Sequence, residues 1–152
     1  MIVSGQASLA APREELWAVL ADPARLAQTL PDVSDVSIED EHRFSAVAHP
    51  VTALGETRVA MEFEVAEQRH GEYVRIVGTG SSGENLVAVE IALELASDGD
   101  GGTAASWRAE LALRGVLSSL LQRAAGELLR EQVESVLAAG VALSEGERGP
   151  DG

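Results

Sequence analysis

The chain has 152 residues, enough for one domain with a sizeable core and too few for a second. Apolar residues make up 45% of it but aromatics only 3%, so the core must come from small and branched side chains. A net charge of -14 argues against phosphate-backbone binding and polybasic membrane anchoring, and the absence of cysteine excludes disulfides, thiolate nucleophiles and Cys-ligated metals.

The opening residues lack a basic start and a long apolar stretch, so they do not read as a secretory signal. No apolar run approaches the ~20 residues of a membrane helix, and the expected location is the cytoplasm. Residues Ile2 to Leu9 alternate as a strand, with Val3, Gly5, Ala7 and Leu9 on one side. Pro12 suits a first helical turn, and Arg13 to Ala21 carries Leu16, Trp17, Val19 and Leu20. Asp22-Pro23 reads as an N-cap and first helical residue, opening a second short helix to about Leu30. Pro31-Asp32 ends it.

From Val33 to Leu113 the dominant period is two. Val59, Met61, Phe63 and Val65 share one face of their run, as do Val87, Val89, Ile91, Leu93 and Leu95, and Trp107, Ala109, Leu111 and Leu113. Glu62, Glu64, Glu90, Glu94 and Glu110 fall opposite, which is the pattern of an antiparallel sheet with one wet face. Val116 to about Leu143 is helical in period, with a stripe of Leu117, Leu121, Ala124, Leu128 and Leu129. The domain is expected over residues 1–143, with 144–152 as a flexible tail.

One such sheet and one long amphipathic helix pack economically when the sheet curls around the helix, an α+β fold. Small inward residues (Gly5, Ala7, Ala46, Ala48, Gly78 and Ala109) then leave room for an apolar cavity, unless neighbouring Leu and Met side chains close the gap. The expected lining from the strands is Phe44, Ala46, Val59, Met61, Phe63, Val74, Ile76, Val89, Ile91, Trp107, Ala109 and Leu111. The helix is expected to add Leu117, Leu120, Leu121, Ala124 and Leu128, and the turn at Leu30, Pro31 and Val33 part of the entrance.

Catalytic motifs are weak. Gly78-Thr-Gly80-Ser-Ser-Gly83 spells a dinucleotide fingerprint, but strand alternation follows it where a phosphate-holding helix is required, so it reads as a glycine-rich hairpin. His42, His49 and His70 have no metal-ligand spacing and read as solvated turn residues. Ser118-Ser119 lacks a nucleophile elbow. The inward polar candidates are Thr57, Asn85 and the Trp107 indole, none of them a general base. A reading without catalytic residues, metal or cofactor follows.

The stretches Met1-Ile-Val-Ser-Gly-Gln, Ala11-Pro12-Arg13-Glu14-Glu15-Leu16-Trp17, Asp22-Pro23 and Leu30-Pro31-Asp32 resemble the opening of the carbon monoxide dehydrogenase CoxG proteins. These belong to the START-like, or SRPBCC (polyketide cyclase), superfamily. Asp32 stands where that family usually has Gly. The resemblance implies the helix-grip order β-α-α-β6-α and a lipophilic cavity under the C-terminal helix. It further implies a partner of the molybdenum hydroxylase type, contact at the inner face of the membrane, and in some members a quinone cargo.

Three functions are therefore weighed: a non-catalytic carrier of a quinone or lipid-like molecule, an accessory subunit of a molybdenum hydroxylase, and a cyclase or dehydratase. The cyclase would need its strand register shifted by one, so that the glutamates turn inward.

Overall fold

The computed structural model describes residues 1–49, 51, 52, 55, 56, 58–83, 85–115 and 118–147, and of 51–56, 118–125 and 146–147 only the backbone. Strand β1 (Ile2–Leu9) leads into helices α1 (Arg13–Leu20) and α2 (Pro23–Thr29). Strands β2 (Val33–Ile38) and β3 (Arg43–Ala48) follow, then a ribbon of β4 (Val51–Thr52) and β5 (Gly55–Glu56). Long strands β6 (Val59–Arg69), β7 (Tyr73–Ser82), β8 (Asn85–Ser97) and β9 (Thr103–Arg114) come next, and α3 (Ser118–Glu147) closes the order.

The main sheet is antiparallel throughout, in the order β1-β9-β8-β7-β6-β3-β2, with β4 and β5 paired apart from it. This is the helix-grip arrangement, to which the structure adds the small ribbon. Helix α3 crosses the concave face and packs on both short helices and on β1 and β9. No helix among the described residues is long and apolar enough to cross a membrane.

The short helices are held by the residues that mark them in the sequence. Asp22 accepts a hydrogen bond from the Ala24 amide at 3.2 Å, with Pro23 at the first helical position. Fully buried Ala11 accepts from the Thr103 hydroxyl at 2.6 Å, tying the start of α1 to β9. The Trp17 indole donates to the Tyr73 carbonyl at 3.2 Å and ties the same helix to β7. Ala11-Pro12 and Trp17 thus dock one helix at two strands.

Helix α3 runs to Glu147, and Ser144 is buried with its hydroxyl donating to the Val141 carbonyl. The helix thus runs on past residue 143. Its sheet-facing residues are Leu129, Val133, Val136 and Leu137, each buried and each contributing about 1.5–3 kcal/mol through apolar burial.

Both sheet edges are guarded against pairing with other chains. On β1, the Arg130 guanidinium from α3 donates to the Ser4 carbonyl at 3.0 Å while lying 5.6 Å above the Trp107 ring. On β2, the register slips between Ser34 and Ser37, and Asp35 there takes a left-handed φ of 53°. Asp32 is also left-handed, at 54°, which is the backbone need behind a glycine at that place. Its carbonyl accepts from the His49 amide at 2.8 Å, so the turn is fixed. Asp32→Val should therefore cost about 1–2 kcal/mol in urea unfolding, while Asp32→Gly should not lower stability. Equal stability of the Val and Gly variants would contradict this.

On the outer face Glu90 stands directly opposite Glu110, an unfavourable like-charge pair that Arg75, 3.4 Å from the Glu90 carboxylate, offsets in part. Glu110→Gln should raise stability by about 0.2–1 kcal/mol, more at low salt, in the same unfolding assay. A loss of stability would show that Glu110 has a favourable partner.

Candidate functional site

Between the sheet and the helices lies a cavity of about 30 Å³. Helix α2 contributes Leu26 and Leu30 to its wall, and α3 contributes Val133, Val136 and Leu137. The strands add Phe44, Phe63, Ile76, Val89, Ile91 and Leu93. Every one of these side chains is hydrocarbon. Leu26, Phe44, Ile76, Leu93, Val133, Val136 and Leu137 are buried and form the closed end. Leu30, Phe63, Val89 and Ile91 are half-exposed and form the mouth. Exposure continues along β8 and β9, where inward-facing Val87, Leu111 and Leu113 are also half-exposed.

The volume is about that of one water molecule, whereas small-molecule sites run to roughly 300–1,000 Å³. The reason lies in what covers the small residues. The Trp107 ring lies over Gly5, where an added Cβ would meet it at 2.6 Å. The Phe63 ring and Val89 lean over Gly78, where it would meet them at 2.8 and 2.9 Å, and the Met61 sulfur folds over Gly80. The glycines are floors for larger neighbours and leave no vacancy of their own. Phe63 also stacks on Phe44, with ring centroids 4.9 Å apart and planes inclined by 19°, worth about 0.5–1.5 kcal/mol beyond burial.

Of the strand residues expected to line the cavity, Phe44, Phe63, Ile76, Val89 and Ile91 do so, as does Leu30 from the turn. Ala46, Val59, Met61, Val74, Trp107 and Ala109 are buried but lie off the wall, consumed by packing against neighbouring strands and helices. Leu111, Pro31 and Val33 are half-buried and also off it. Leu128 is corrected outright: it is 37% exposed, because Leu129, one helical step away, takes the inward position. Thr57 and the side chains of Leu117, Leu120, Leu121 and Ala124 lie outside the described residues.

Leu26, Leu93, Val133, Val136 and Leu137 were not expected on the wall. The signal for the helical three was present: they follow Leu129 at four, seven and eight residues, whereas Leu128 is followed at three and four by Glu131 and Gln132.

Among the described residues, no lining side chain can move a proton or ligate a metal. The glutamates of β6, β8 and β9 are absent from the wall, as the alternation requires. Asn85 is half-buried with its amide oxygen unpaired, beside Gly115 and away from the cavity wall. The Gly78–Gly83 stretch is a hairpin, with Gly83 at a φ of 60° between two strands and no helix after it. His42 and His70 are exposed, His70 lying 4.6 Å from Trp17 and 3.4 Å from the Glu14 carboxylate. His49 departs from the solvated-turn expectation, being half-buried with its ring nitrogen 2.6 Å from the Ser34 hydroxyl. Among the described residues no cluster of three or more His, Asp or Glu is placed to hold a metal.

Solved structures of similar fold include a conserved protein from Geobacillus kaustophilus, with a TM-score of 0.84, 17% identity and 95% of each chain covered. A START superfamily protein from Mycobacterium smegmatis gives 0.67 at 14% identity, covering 93% of this chain and 98% of its own. The Zhui aromatase/cyclase from Streptomyces sp. R1128 gives 0.65 at 18% identity, covering 100% and 98%. At these identities the likeness shows the fold alone. No curated protein matches the sequence. The family model for CoxG, a subunit of carbon monoxide dehydrogenase, matches residues 5–140.

Proposed function

The chain belongs to the carbon monoxide dehydrogenase CoxG family, and from that premise we propose that it binds a hydrophobic small molecule, quinone- or lipid-like, without converting it. The observation that carries this reading is the wall itself: eleven side chains from sheet and helices, all hydrocarbon. Such a wall favours burial of apolar surface at about 25 cal/mol per Å², so it takes the hydrocarbon part of a ligand and leaves any carbonyl or charged head at the mouth. A cyclase would need a general acid or base at the reacting carbon, and the described lining supplies none. At about 30 Å³ the space is too small for such a ligand as it stands, so a ligand enters by displacing wall side chains. Native mass spectrometry of the purified protein, before and after addition of a polyprenyl quinone, tests the reading. A stoichiometric apolar adduct supports it. A bare mass under both conditions, across quinones and lipids, removes it.

A second reading comes from the family's name, which makes these proteins subunits of an enzyme. The outer sheet face favours it, since exposed Glu62, Glu94 and Glu110 and the opposed Glu90 place negative charge where a basic partner surface would relieve it. Pull-down of a molybdenum hydroxylase that survives reversal of Glu62, Glu94 and Glu110 to arginine would exclude this surface.

A further inference from the structure

We propose that Phe63 is the gate of the cavity and Gly78 the floor that lets it swing. The inference rests on the ligand-binding reading and specifies how the ligand enters. Phe63 is a wall residue yet only partly buried, whereas Phe44, on which it stacks, is fully buried. One ring is wedged and the other reaches the mouth.

Phe63 and Gly78 are directly opposed on β6 and β7, and the ring occupies the space a side chain at 78 would take. Because that floor is only backbone, no side chain at that position holds the ring once it turns about its Cα–Cβ bond. A hop to another staggered rotamer lifts the ring toward solvent and adds its vacated slot to the cavity. The other residues at the mouth are poorer gates. Val89 and Ile91 are β-branched and stiff at the same torsion, and Leu30 is an aliphatic residue at the C-cap of α2. The gate also reconciles a small cavity with a wall suited only to apolar cargo.

The test is stopped-flow binding of N-phenyl-1-naphthylamine, an uncharged probe that brightens in apolar surroundings, to the full chain. Wild-type association should level off at high probe concentration, because ring displacement becomes limiting. Phe63→Ala should remove the plateau and raise the association rate by about tenfold or more. Gly78→Ala, whose Cβ would sit 2.8 Å from the ring, should push the ring out and act in the same direction. Leu95→Ala loosens the buried core away from the cavity and should stay within about twofold of wild type. Should Phe63→Ala fail to fold, Phe63→Leu removes the ring while keeping bulk and should show the same acceleration. Binding by wild type with unchanged rates in the Phe63 variants overturns the gate alone, as does equal acceleration by Leu95→Ala. Absence of binding in wild type and Phe63 variants alike overturns the ligand-binding reading and the gate with it.

Discussion

Replacing Phe44 with alanine should lower stability by about 3–5 kcal/mol and create a binding site for small apolar molecules in the same step. Phe44 is fully buried, stacks on Phe63 and forms part of the closed end of the cavity, so its removal leaves a phenyl-shaped void joined to existing space. A domain of this size is stable by only about 5–15 kcal/mol, so the loss is large and easily measured in urea. An apolar ligand at a hundred times its dissociation constant should then return about 2.7 kcal/mol by mass action. Wild type at the same ligand concentration should gain less, since its cavity is smaller. A loss below about 1.5 kcal/mol would mean that the sheet collapses into the void, and the wall is then not rigid.

Ala109→Phe should also destabilise strongly, by about 1–3 kcal/mol or more. The sequence alone points the other way: a small inward residue on a curved sheet looks like a place where a bulky side chain fills empty space. In the structure Ala109 is fully buried in the core and lies off the cavity wall, paired on its flanks with Val3 and Ile91. An added phenyl group has nowhere to go without moving β1 or α3. Loss of thermal stability with ligand uptake retained by the remaining folded fraction is the expected outcome. Wild-type stability with uptake abolished would instead place Ala109 on the wall.

Ala109 illustrates what was legible in the sequence and what was not. The period of two placed the inward and outward faces of β6, β8 and β9, because a pleated strand leaves no freedom about which way successive side chains point. Asp22-Pro23 and Ala11-Pro12 marked the helix starts through chemistry local to a few residues. The volume between the layers was not legible, because it depends on neighbouring rows. Whether Gly78 is a hole or a floor is decided by the Phe63 rotamer across the strand pair. The helix phase failed for a related reason. Leu128 and Leu129 adjoin in sequence but point about 100° apart on the helix, and only the residues farther along, Val133 and Val136, show which one faces in. Asp32 was visible as a departure from the family pattern, yet the left-handed backbone that makes a glycine suitable there needed the structure.

The space between sheet and α3 is expected to take an apolar ligand. Methyl-labelled NMR of the full chain with a bound alkyl-chain ligand tests this most directly. Intermolecular NOEs should run from the chain's methylenes to the methyls of Leu26, Val133 and Leu137 and to the ring protons of Phe44, and none should reach Val74, which is buried off the wall. NOEs confined to exposed Val36, Ile38 or Leu86, with the interior methyls silent, would place the ligand on the surface and not between sheet and α3.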